Sequence, residues 1–165
     1  MNLKYLFYFP FCPRPSADRG ATRMSVSPTM VRFHSQHADL YGLIETIQTL
    51  LRGFTADSPA APLREAFHQL SAKLRLHLAL EDDALYPRLV RHSDARLRDR
   101  AQQFQAEMSG LRETYETFLR DWLHSGRFAQ DRSGFTQAVA AVFGPLTARL
   151  RREDAELYPL VDQAA

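Results

Sequence analysis

Cysteine is all but missing from this chain. Its single one, Cys12, cannot close an internal disulfide, so no mark of an oxidising compartment is present and a cytoplasmic location is the default. No apolar run approaches the ~20 consecutive residues that a membrane helix needs, which excludes a spanning protein. Charge of one sign is scarce too. The formal net charge is +2, with arginines interleaved among acids, which is too little to argue for nucleic acid or an anionic membrane surface as a partner. Strand-type alternation and Asn-Gly hairpin signals are lacking, so a sheet has nothing to form from. There is no Ser/His/Asp set, glycine-rich phosphate loop or paired-cysteine motif, and the reactions that depend on them are excluded.

What remains is helical. A chain of 165 residues suits one domain, which at that size buries roughly 70% of the surface that its unfolded form exposes. The opening "MNLKYLFYFPFCPRP" has an aromatic stretch broken by Pro10 and Pro13, a poor signal-peptide core. Residues 1–26 read as a disordered extension, and residues 27–162 read as the folded domain.

Four apolar rows follow, each stepping by threes and fours as one face of a helix does. The first begins after a capping Ser27 and Pro28 and runs Phe33, His37, Leu40, Ile44, Ile47, Leu51, Phe54. The second runs Leu63, Phe67, Leu70, Leu74, His77, Glu81, Leu85, and is expected to end or kink near Pro87. The third, from about Asp94 to Leu123, runs Leu97, Ala101, Phe104, Met108, Leu111, Tyr115, Phe118, Trp122, which at this spacing is core rather than a haem pocket. The fourth runs Phe135, Val139, Val142, Leu146, Arg149, Glu153, Leu157, with Pro145 as a candidate kink. Helices of similar length joined by short loops predict an all-α, antiparallel up-and-down four-helix bundle.

Ionisable side chains inside such rows need a reason, because a buried carboxylate costs several kcal/mol unless it is paired or holds a metal. His37, His77, Glu81, Arg149 and Glu153 are that group. "HLALEDDALYP" (77–87) returns as "RLRREDAELYP" (149–159), keeping its glutamate and exchanging its histidine for arginine. His77 and Glu81 are four residues apart and share a helix face. Imidazole and carboxylate together suit iron, manganese or zinc. A metal-free network of His37, His77 and Arg149 with the acids satisfies the same spacing.

"HSQHADLYGLI", "HLALEDDALYP" and "RREDAELYP" resemble the hemerythrin-like, or HHE cation-binding, family over roughly residues 27–162. The resemblance implies a four-helix bundle holding non-haem iron, often two ions bridged by carboxylates, that binds oxygen or responds to oxidants and nitric oxide. It makes His37 the first-helix ligand, His77 and Glu81 the second-helix pair, and Glu153 the fourth-helix carboxylate. The chain departs from the pattern twice: Arg149 stands where the fourth helix would carry a histidine, and the third helix has none. Arg149 has no lone pair to offer, so it can only balance acids. Glu107, between Phe104 and Leu111, is placed as a carboxylate in lieu of the missing histidine. With neutral imidazoles, three carboxylates less one guanidinium leave two negative charges, which one divalent cation neutralises; the family favours two ions.

Tyr41, one turn after His37, is placed beside the site. His34, one turn before His37, is an alternative ligand that reads rather as a partly exposed helix residue; His68, His92 and His124 read as surface residues, and Tyr86 and Tyr158 as plugs at the bundle end. The functions in play are a binding protein that senses or handles oxygen, nitric oxide, oxidants or iron itself, a di-iron oxidase or peroxidase, and a metal-free interaction module. A homodimer is compatible with each.

Overall fold

The computed structural model describes residues 28–55 and 58–164, the side chains of Met108 and Ser109 excepted. The expected extension 1–26, the Ser27 cap and the core position of Met108 lie outside the described residues. Four long helices make up the fold, and among the described residues there is no strand. Helix α1 is Pro28–Arg52. Helix α2 (61–89) runs as Ala61–Leu80, widens into a π turn at Glu81–Leu85 and resumes as Tyr86–Leu89. Helix α3 (95–124) is Ala95–Phe118 with a closing π turn Leu119–His124. After a single 3-10 turn, helix α4 (132–163) is Arg132–Arg152, a second-repeat π turn Glu153–Leu157, and Tyr158–Gln163. None of the described helices is long and apolar enough to cross a membrane.

Helix starts follow local chemistry. Asp94 caps α3 by accepting from the Arg96 and Leu97 amides at 2.8 and 3.4 Å, and Asp131 caps α4 by accepting from Gly134 at 2.9 Å, each satisfying amides that a first turn leaves free. Gly126 turns the chain between α3 and α4 at φ 76, a left-handed conformation that glycine adopts without a Cβ penalty.

All seven expected row positions of α2 and of α4 are buried, while Leu51 and Phe54 at the end of α1, and Leu111 and Trp122 on α3, are half-buried. The rows meet in two apolar clusters. One gathers Met30 and Phe33, Leu85 and Leu89, Leu97 and Phe104, and Leu157. The other gathers Ile47, Leu63 and Phe67, Phe118, and Phe135. Early α1, late α2, early α3 and late α4 therefore share one end, so the helices alternate in direction. Phe67 anchors the second cluster with ring centroids 5.6, 5.8 and 5.9 Å from Phe118, Phe135 and Phe143. On three helices the polar row members fall between the residues of the two clusters. The fold thus encloses a polar layer between two apolar ones.

The second helix ends at Leu89, two residues past Pro87, as expected, and a wide turn precedes the proline. The Tyr86 amide bonds the Glu81 carbonyl and the Tyr158 amide bonds the Glu153 carbonyl, five residues back in each case. Pro87 and Pro159 have no amide to continue the ordinary ladder, and one wide turn before each absorbs the mismatch while the helix goes on. Pro145 lies within an uninterrupted helical stretch.

Candidate metal centre

The polar layer brings together His37, His77, Glu81 and Glu153, each at most 1% exposed. One ligand-capable atom from each lies within 4.8 Å of the others. His37 Nε2 and His77 Nε2 face each other at 3.2 Å. His37 Nε2 stands 3.5 Å from Glu153 Oε2, and His77 Nε2 stands 3.6 Å from Glu81 Oε2. An ion bonded at ~2.1 Å in a tetrahedral set spans donors ~3.4 Å apart, so these three contacts are near what one cation needs, within a set that spans up to 4.8 Å.

The outer atoms of these side chains are already engaged. His37 donates Nδ1–H to Asp154 Oδ1 at 2.9 Å, and His77 donates Nδ1–H to Gln36 Oε1 at 3.2 Å. An acceptor at each Nδ1 puts the ring proton there and turns both Nε2 lone pairs inward. Tyr158 lies 3.0 Å from His37 Nε2 and donates to Glu81 Oε1 at 3.2 Å, while Tyr86 donates to Glu153 Oε1 at 3.0 Å. Each tyrosine thus serves the glutamate of the other repeat. What is left over is one oxygen per carboxylate: Glu81 Oε2 and Glu153 Oε2 are buried without a hydrogen-bond partner. Such atoms are costly in a fold and call for a ligand.

Protonation fits the same end. Burial, reinforced by His37 and Arg149, pushes His77 down to about 3, and burial lowers His37 against the opposing pull of Glu153 and Asp154, so both rings are neutral donors near pH 7. Burial first, then repulsion from Glu153, holds the Glu81 carboxyl well above the usual carboxylate range. A cation would replace that proton. Burial first, then the two glutamates, raises Tyr86 and Tyr158, which keep their phenol protons.

The structure does not bring Glu107 to this cluster, contrary to the sequence expectation. Its position three residues after Phe104 places it on the flank of α3 facing α4, 38% exposed, where Arg152 takes it at 2.7 Å. Arg149 Nη1 reaches it at 3.5 Å. Arg149 is buried beside the cluster and donates Nε–H to Glu153 Oε1 at 2.7 Å. Tyr41 touches the site indirectly, its hydroxyl donating to Asp154 Oδ2 at 3.1 Å. His34 is exposed, as expected, and its Nδ1 meets Asp154 Oδ1 at 3.0 Å.

The hemerythrin HHE cation-binding domain model matches residues 30–161. The chain belongs to this family. No curated protein and no solved structure matches it. As a hemerythrin-family domain it is a cation-binding fold, and its unpartnered oxygens and inward lone pairs fit a metal ion with two imidazole and two carboxylate donors. The residues that sequence reasoning missed are Tyr86, Tyr158, Asp154 and Gln36. Asp154 directly follows Glu153, and both tyrosines recur at one offset in the repeat, which was the available signal. With Asp154 in place of Glu107, three carboxylates less the Arg149 guanidinium again leave two negative charges, the complement of one divalent cation.

Proposed function

We propose that this hemerythrin-family bundle binds one non-haem metal ion, iron ahead of manganese or zinc, through His37 Nε2, His77 Nε2, Glu81 Oε2 and Glu153 Oε2, and that it senses or buffers oxygen, nitric oxide or oxidants. The observation that carries the reading is the pair of unpartnered carboxylate oxygens facing two inward imidazole lone pairs. A bound ion would supply Lewis acidity and, as iron, reversible one-electron chemistry beside these four side chains.

The chain's own groups fix the rest. Asp154 and Gln36 orient the imidazoles, and Tyr86 and Tyr158 hold one oxygen of each carboxylate so that the other points inward. Leu40, Leu74 and Leu146 on one side, and Phe33, Leu85 and Leu157 on the other, exclude bulk water. Donors so deeply buried suit a ligand of two or three atoms better than a larger substrate. Purification with ferrous iron supplied, metal analysis, and absorption spectra under oxygen, peroxide and nitric oxide test this. Glu81→Ala should lose the metal and the spectral response; a variant that retained the wild-type metal content would refute the site.

A further inference from the structure

Arg149 occupies a pocket of its own beside the four donors, and every polar partner that the guanidinium meets there is an oxygen. Nε bonds Glu153 Oε1 at 2.7 Å, Nη1 bonds the Phe104 carbonyl at 2.9 Å and lies 3.5 Å from Glu107 Oε2, and Nη2 bonds the Tyr86 hydroxyl. The Phe104 ring lies beneath, its centroid 4.3 Å from Cζ. The side chain is only 5% exposed. Glu153 divides itself between the two halves, giving Oε1 to the guanidinium and aiming Oε2 toward His37 Nε2. Two carboxylates, a carbonyl and a phenol are a donor set for a hard divalent cation, and a guanidinium fills it.

We infer that Arg149 is the second cation of this centre, built covalently into the chain, and that it restricts the centre to one metal ion. The inference rests on the metal-binding reading and goes beyond it by naming what sets the stoichiometry. Paired metal ions in one site stand ~3.5–4 Å apart, so a second ion sharing Glu153 would have to take the space that the guanidinium fills. A guanidinium has no lone pair to offer an ion and cannot share the pocket with one. A second metal ion therefore enters only if the whole side chain leaves its oxygens. In the repeat, the histidine of the first copy ligates, and the arginine of the second copy replaces the ion that a histidine there would have held.

The test is the stoichiometry of cobalt(II) binding by equilibrium dialysis with metal analysis, folding being followed by circular dichroism. Wild type and Arg149→Lys should saturate at one ion per chain, whereas Arg149→His and Arg149→Ala should take up twice as much. Folded Arg149→His and Arg149→Ala proteins that both stop at one ion overturn the inference and leave metal binding standing. A wild type that binds two ions overturns it as well, and one that binds none overturns the proposed function itself. Should both variants unfold, X-ray absorption of wild type with excess metal decides: a metal–metal vector contradicts the inference, and its absence at one ion per chain supports it.

Discussion

Glu81 and Glu153 are the same residue type in the same layer, yet replacing each with glutamine should move the stability of the metal-free protein in opposite directions. Burial and the neighbouring Glu153 hold the folded Glu81 carboxyl well above the usual carboxylate range that applies in the unfolded chain, so its contribution to stability falls as pH rises through and beyond that range. Glu81→Gln removes that cost, keeps the oxygen that accepts from Tyr158, and turns an amide N–H toward the lone pair of His77 in place of the unpartnered Oε2. Relieving a buried unsatisfied group is worth about 1–3 kcal/mol, and at this chain length each kcal/mol shifts the midpoint by ~2–4 °C. Glu153→Gln instead keeps an acceptor for Arg149 but removes the negative charge that faces its guanidinium at 2.7 Å, leaving the more distant Glu107 as its only carboxylate partner, and uncoupling a buried ion pair costs up to about 3–5 kcal/mol. Thermal and urea unfolding at pH 7.5 with a chelator present read both effects, and metal analysis should show that both variants bind less metal. If Glu81→Gln lowered the stability of the metal-free protein as Glu153→Gln does, Glu81 would be an ordinary member of a structural network and not a residue kept ready for a cation.

Three further outcomes follow from the same geometry. Asp154→Ala should weaken metal binding about 10–100-fold by freeing the tautomer of His37, measured by competition with a chelating dye; an unchanged affinity would show that Asp154 does not set the imidazole. Metal binding should release a proton, because the cation displaces the one that Glu81 holds in the window above pH 4.5, so affinity should climb by up to about tenfold per pH unit there; affinities independent of pH across that window would contradict the Glu81 assignment. Phe67→Ala, at 0% exposure among three other rings, should cost about 3–5 kcal/mol in urea unfolding without changing metal stoichiometry, which separates core from site.

The bundle was legible because threefold and fourfold spacing of apolar residues is a direct image of a buried helix face, and α2 and α4 repay that reading at every row position. His77, Glu81 and Glu153 were legible for the same reason, being ionisable members of buried rows. Tyr86 and Tyr158 read as plugs of the bundle end, which their full burial fits, but their bonds to the glutamates were not legible. Five residues after a glutamate is the wrong phase for an ordinary α-helix, and only the π turns bring these phenols back to the inner face. Wide turns leave little trace in periodicity beyond the prolines that follow them. Glu107 failed for the complementary reason: it flanks its row, and a flanking residue can turn either way, here toward Arg152. Asp154 and Gln36 sit beside row positions rather than in them, so their bonds to the imidazoles depend on how helices are rotated against one another, which one helix's spacing does not encode.

The central claim is that four side chains from α1, α2 and α4 enclose a single cation. An anomalous-difference map from crystals grown with ferrous iron tests it most directly. The account predicts one peak per chain within bonding distance of His37 Nε2, His77 Nε2, Glu81 Oε2 and Glu153 Oε2, with the Arg149 guanidinium still in its oxygen-lined pocket. A fully formed bundle with no peak there, or with the iron bound elsewhere, would contradict it.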